Sequence, residues 1–423
     1  MFLMGAFFLV FLLGYFVYRE NLFPKKYIEA ALLPAQQVLA VPHHLYPIVY
    51  DETGVKIGDA GKMQPGLTLI STYWSDFDWQ AGIKLVDTDG RVMHQWSTNP
   101  ASIWPESDNA RRQADNYVHG TYLFDNGDVV FNIEYAGMVR MNSCGEILWK
   151  LDYSTHHSVF RDDDGNFWVS GNITRAVDPD GEEYIKDYPG LNLPVYEDVA
   201  IQVSPEGQIL REIPLFKVIY DNGLQRYIAK HGAPRRGDIL HLNDVEALGA
   251  ADADKYPMFD AGDLLLSFRF IDLVVVMDPD TGRVKWFDSN STIEQHDPDF
   301  MGDGRIGIYD NNVGYTPRGD MLGGSRIVAV RPDTGTIEQL LPRTDKQKYS
   351  SKTGGKWQQL ANGNLLLVEA RAGRAFEVTA SGDVIWQWFT EHFDDSLVPE
   401  VLEATRYDLT ADDIAAWQCS TPG

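Results

Sequence analysis

Residues 119–131 read HGTYLFDNGDVVF, residues 157–170 HSVFRDDDGNFWVS, residues 296–310 HDPDFMGDGRIGIYD and residues 355–370 GKWQQLANGNLLLVEA. Each is an apolar-rich run, a turn built from Asp, Asn and Gly, and a second apolar run, which is the pattern of a β-hairpin. In all four the turn glycine (Gly127, Gly165, Gly304, Gly363) falls eight residues after the first position. Such a recurrence is an internal repeat, and it governs the reading of everything around it.

Between these hairpins lies a second kind, six times over: GIKLVDTDGRVMHQW from Gly82, MVRMNSCGEILWKL from Met138, AIQVSPEGQILREI from Ala200, VVVMDPDTGRVKWF from Val274, IVAVRPDTGTIEQL from Ile327 and AFEVTASGDVIWQW from Ala375. A fifth example of the first kind begins as HLNDVEAL at His241 and resumes as DLLLSF, with thirteen extra residues before Gly262. The first unit is less regular, and GLTLIS from Gly66 is its expected inner strand. Two hairpins per unit and six units predict an all-β, six-bladed β-propeller over residues 65–395. An open solenoid is the competing architecture. Irregular insertions at 100–118, 171–199 and 311–325 fit loops over one end of a propeller better. Only short helical turns are expected, near 220–231 and 396–418, and residues 396–423 are expected as a C-terminal extension.

Residues 1–18, MFLMGAFFLVFLLGYFVY, carry no charge. That length is at the lower limit for a membrane-spanning helix, and no basic leader or small-residue cleavage site accompanies it. Residues 1–20 are therefore expected to be a retained transmembrane helix, and residues 21–64 a stalk or strap. The flank Arg19, Lys25 and Lys26 by itself would place the large domain in the cytoplasm. The net charge of −25 argues against a nucleic-acid or anionic-membrane surface, because both partners are polyanions. The two cysteines, Cys144 and Cys419, have no metal-ligand spacing. They are expected as unrelated thiols, with a disulfide as the alternative if the compartment is oxidising.

His119, His157 and His296 share one repeat position, and His241 takes it in the fifth hairpin if the insertion follows it. Equivalent positions in a propeller encircle the axis, so four imidazoles are expected to converge at one end of the channel. Such a ring could hold a transition metal, or bind an oxyanion and act as nucleophile and acid–base. Arg269, within the apolar run LLLSFRF, would add a fixed cation. A cation among histidines favours an anionic substrate and disfavours a metal. Tyr309, Trp357 and Tyr122 are candidate aromatic walls, with blade packing as their alternative role.

HHSVFRDDDGNFWVSG, HLNDVEAL followed by LLLSFR, QHDPDFMGDGRIGIYDN and SKTGGKWQQLANGNLLLVE, taken in order, resemble the signature segments of the bacterial, PAPS-independent arylsulfotransferases. So does the opening PGLTLISTYWSDFDWQAGIKLVDTDGRVMHQW. The likeness spans roughly residues 65–390. It implies transfer of a sulfuryl group from an aryl sulfate to a phenolic acceptor through a sulfohistidine, without a cofactor or metal. It further implies that His296 is the nucleophile, with His157 or its neighbour His156, His241, Asn243 and Arg269 as the other channel groups. His119 is expected to line the pocket. The family also implies a periplasmic or otherwise extracytoplasmic domain, against the charge of the anchor's flank. This chain departs from the best-known members. Their separate N-terminal β-sandwich is not expected here, Cys144 and Cys419 are not their closely spaced cysteine pair, and the chain carries the insertion before Arg269. A hydrolase using water as acceptor, and a non-catalytic propeller scaffold, are the alternatives.

Overall fold

A computed structural model describes residues 10–11, 14–15, 44–107, 117–175, 185–230, 237–313, 321–344 and 347–417. The chain divides into a unit at 1–45 and a unit at 46–423. In the first, only helical residues 10–11 and 14–15 and the segment from 44 are described, so most of the anchor expected at 1–20 lies outside the described residues. No helix among the described residues is long and apolar enough to cross a membrane.

The second unit contains six sheets of at least four strands, antiparallel except where the short strand Gly237–Asp238 pairs parallel with Val195–Val203. In chain order, blade I uses 67–97, blade II 118–151, blade III 155–214, blade IV 242–288, blade V 296–341 and blade VI 357–389. Six buried apolar clusters hold them together, one between each neighbouring pair. Leu69 and Trp96 pack with Phe131 between blades I and II, and Val130 packs with Phe167 between II and III. Trp168 meets Leu242 between III and IV, and Leu265 meets Ile306 between IV and V. Tyr309 meets Trp357 between V and VI, and Trp386 meets Ile70 between VI and I. The sixth contact closes the ring, which makes this a propeller and not an open solenoid. Middle strands such as Leu264–Phe268 and Leu273–Met277 are buried on both faces, so they read as unbroken apolar runs. Outer strands such as Thr336–Leu341 are largely exposed.

Closure corrects the reading of both ends. The inner strand of blade I is Glu403–Tyr407, which pairs with Leu67–Trp74 from Glu403↔Ser71 to Tyr407↔Leu67. Residues 67–74 are thus the second strand, and part of the expected C-terminal extension lies inside the ring. Within the expected strap, Gly54–Ile57 adds a fifth, outermost strand to blade VI against Val384–Phe389. Short helices Leu215–Asp221 and Arg226–Lys230 bury Leu215, Phe216, Ile219 and Tyr227 between blades III and IV. A last one, Ala411–Ala415, is capped by Thr410. Cys144 is disulfide-bonded, which overturns the expectation of unrelated thiols; Cys419 lies outside the described residues.

Candidate active site

The inner strands of blades II to V share one irregularity. Pairing in blade II breaks between His119 and Thr121, in III between His156 and Val159, in IV between Leu242 and Asp244, and in V between His296 and Asp299. Each is a β-bulge, which turns side chains out of the regular alternation. Gly120, His157 and Asp297 have left-handed φ values of 71°, 54° and 48° there.

Counting back four residues from the last pair before each hairpin turn gives one position per blade. These pairs are Tyr407↔Leu67, Leu123↔Val129, Arg161↔Phe167, Ala247↔Leu264, Phe300↔Ile306 and Gln359↔Leu365. The positions are Glu403, His119, His157, Asn243, His296 and Gly355, and all six line one small cavity on the axis. The expected register therefore holds for His119, His157 and His296. It fails for His241, because Asn243 takes the ring position of blade IV. His241 stands two residues upstream and joins the group from outside the strand. Its ring is 5.1 Å from that of His157 and lies flat on Phe270 at 4.4 Å. The His119 and His157 rings are 4.8 Å apart, and those of His156 and His157 5.0 Å.

The hydrogen bonds define which nitrogen of each ring is free. Asn311 donates its Nδ2 to the carbonyls of Ser351 at 2.8 Å and Gly354 at 2.7 Å. This orients its Oδ1 toward His296 Nδ1, 2.7 Å away. An amide oxygen only accepts, so His296 Nδ1 carries the proton and Nε2 keeps its lone pair. Burial, then the Arg269 charge, hold the His296 pKa well below its usual 6.5, so the ring is neutral. His241 Nδ1 lies 2.5 Å from Asp238 Oδ2, which fixes its tautomer in the same way. The Asp238 carboxyl is raised by burial but lowered on balance by His241. His156 and His157 share a 2.8 Å Nδ1···Nδ1 contact, in which one ring donates and the other accepts. Burial first, then neighbouring imidazoles, lower His157 well below 6.5, His156 to about 3 and His119 to about 4.

Arg269 opens the turn Arg269–Ile271 after the strand, its N–H bonded to the His241 carbonyl at 3.1 Å. Its guanidinium is buried, pairs with Glu294 Oε2 at 2.7 Å and lies 5.3 Å from the Phe270 ring centroid. Burial raises the Glu294 carboxyl even against that cation. Asn243 donates to the Gln295 carbonyl at 2.8 Å, and its Oδ1 is buried without a hydrogen-bond partner. On the cavity wall Lys356 Nζ meets Asp297 Oδ1 at 2.5 Å, and Glu403 accepts from Gly120 N and Thr121 Oγ1, each at 2.6 Å. Tyr309, Trp357 and Tyr122 belong to the packing between blades and not to the cavity wall. Among the described residues one group could hold a metal ion, His119 with Glu134 and His157.

A family model described as Arylsulfotransferase (ASST) matches residues 120–391, which span blades II to VI. The chain belongs to the arylsulfotransferase family. No protein of curated function matches it. Among solved structures, this arylsulfotransferase-family chain is similar to a protein of unknown function from Bacteroides caccae. The identity is 13% and the TM-score 0.47, covering 77% of this chain and 94% of that one. It is also similar to a catalytically inactive virginiamycin B lyase from Staphylococcus aureus solved with quinupristin. There the identity is 11% and the TM-score 0.40, covering 79% and 87% of the two chains.

Sequence reasoning found the imidazoles and the arginine but not their partners. Asp238, Glu294 and Asn311 were missed. Asp238 lies three residues before His241, and Asn311 ends the quoted segment of His296, so both were within reach of a search for orienting groups.

Proposed function

We propose that the channel moves a sulfuryl group from an aryl sulfate to a phenol through a sulfohistidine on His296. The observation that carries this is the Asn311–His296 hydrogen bond, which leaves Nε2 of a neutral imidazole as the nucleophile, within the field of the buried Arg269. In the first half-reaction Nε2 attacks sulfur, the S–O bond to the aryl group breaks, and the phenolate departs with both electrons. His241, on the Asp238 carboxylate, supplies its proton. In the second, the same base takes the proton of an incoming phenol, whose oxygen attacks sulfur as the S–N bond breaks. Arg269, held by Glu294, supports the charge on the sulfuryl oxygens. Asp238 keeps His241 in one tautomer and stabilises its imidazolium.

An extracytoplasmic location and a membrane anchor at 1–20 belong to the same proposal. The disulfide-bonded Cys144 supports an oxidising compartment.

The test is a chromogenic aryl sulfate, with and without a phenol, on the wild type and His296→Ala. The proposal expects a burst of released phenol, a sulfuryl adduct on His296 by mass spectrometry, and turnover only with acceptor. Equal turnover without acceptor would make the protein a hydrolase. Activity unchanged by His296→Ala, or no release from any aryl sulfate, would overturn the proposal.

A further inference from the structure

The cluster of His119, Glu134 and His157 has no part in sulfuryl transfer as a unit. Each residue offers one ligand atom, and the three atoms lie within 4.8 Å of one another. Three separate pieces of backbone bring them there. His119 comes from the inner strand Val118–Leu123 of blade II, and His157 from the bulge in the inner strand of blade III. Glu134 directly follows the second strand of blade II, and its N–H is tied to the Tyr117 carbonyl at 2.9 Å.

The second observation is on His119 itself, whose Nδ1 is buried without a hydrogen-bond partner. Leaving a buried imidazole nitrogen unsatisfied is costly, and such an atom calls for an explanation. Two imidazoles and one carboxylate within a few ångströms are a donor set for zinc or a neighbouring first-row metal, and poor for calcium or magnesium, which take oxygen ligands. Both histidines line the axial cavity.

We propose that His119, Glu134 and His157 bind one divalent first-row transition metal ion at the side of the channel, against the expectation of a metal-free protein. The site stands independently of sulfuryl transfer.

The experiment uses the tag-free full chain, dialysed against EDTA and titrated with Co²⁺, whose visible d–d bands report the ligand field, then with Zn²⁺ in competition. One Co²⁺ per chain, displaced by Zn²⁺, is expected for the wild type and for His296→Ala. His119→Gln and the near-isosteric Glu134→Gln should each lose about tenfold or more in affinity, with thermal melts showing that both remain folded. Absence of stoichiometric Co²⁺ binding by the wild type would overturn the proposal, as would unchanged affinity in both variants. If one variant fails to fold, the other decides. No aryl sulfate is present, so the result is separate from that of the transfer assay.

Discussion

At the scale of single residues, the site is governed by which nitrogen of each imidazole carries the proton. His296 is neutral through burial and Arg269, and oriented through Asn311. Replacing Asn311 by Asp puts an anion beside Nδ1, which favours the imidazolium and raises the pKa of the nucleophile. Asn311→Asp should therefore lose transfer activity at a higher pH on the acidic side than the wild type. A pH profile of kcat/KM for the chromogenic donor checks this, and an unmoved acidic limb would count against His296 as nucleophile. Asp238 acts through His241 in a similar way. Asp238→Asn removes the charge that stabilises the imidazolium, and should lower kcat by about 10²–10⁴-fold. If His241 serves only packing on Phe270, kcat will stay within about twofold, and that outcome excludes it as the acid–base.

At the scale of elements, the repeat was legible because its hairpins are local. A turn glycine such as Gly165, at φ 83°, with its N–H on the Asp162 carbonyl at 2.9 Å, is a short-range signal. The bulges were not legible, since an extra residue in a strand changes pairing and not composition. The bulge is common to the four blades, so the offset of His241 from the ring position has another source. The excursion between Leu248 and Gly262 breaks the spacing to the turn glycine; it packs Tyr256 and Phe259 against blade V, and its Ala250 N–H donates to Asp163 of blade III. The role of Glu403–Tyr407 was hidden for a different reason, since its partner strand lies at the other end of the chain. One bulge can be tested directly. A Cβ on Gly120 would lie 1.9 Å from the His157 carbonyl oxygen, at φ 71°. At Gly145, φ 78°, nothing lies within 4 Å. Gly120→Ala should cost roughly 2–4 kcal/mol, whereas Gly145→Ala should cost only the left-handed strain of about 1–2 kcal/mol. Urea unfolding of both measures the difference, and equal costs would mean that the bulge yields freely.

At the scale of the whole molecule, the interior holds two kinds of buried titrating group with opposite effects on stability. His156, His157 and His296 are lowered, first by burial, so the unfolded chain takes up protons that the folded one refuses. Their contribution is complete above about pH 6.5 and is lost as pH falls toward the folded values. Glu400 and Glu403 are raised, first by burial, to about 8 and about 7. Burial likewise raises Asp244, Glu246 and Asp299 well above their usual range. Here the folded chain keeps protons that the unfolded one releases. That contribution is complete below about pH 4.5 and is lost as pH rises through the folded values. Between these limits the two slopes oppose each other. Above about pH 6.5 only the carboxyl loss remains, and below about pH 4.5 only the histidine loss. Thermal unfolding of EDTA-dialysed protein should therefore show its highest Tm in mildly acidic buffer and decline on both sides. Glu400→Gln keeps a neutral side chain at every pH, so it should raise Tm at alkaline pH more than at acidic pH and flatten that limb. A wild-type Tm that climbs steadily from mildly acidic to alkaline buffer would mean that water or counter-charges reach these carboxyls, and that they do not hold their protons in the folded chain.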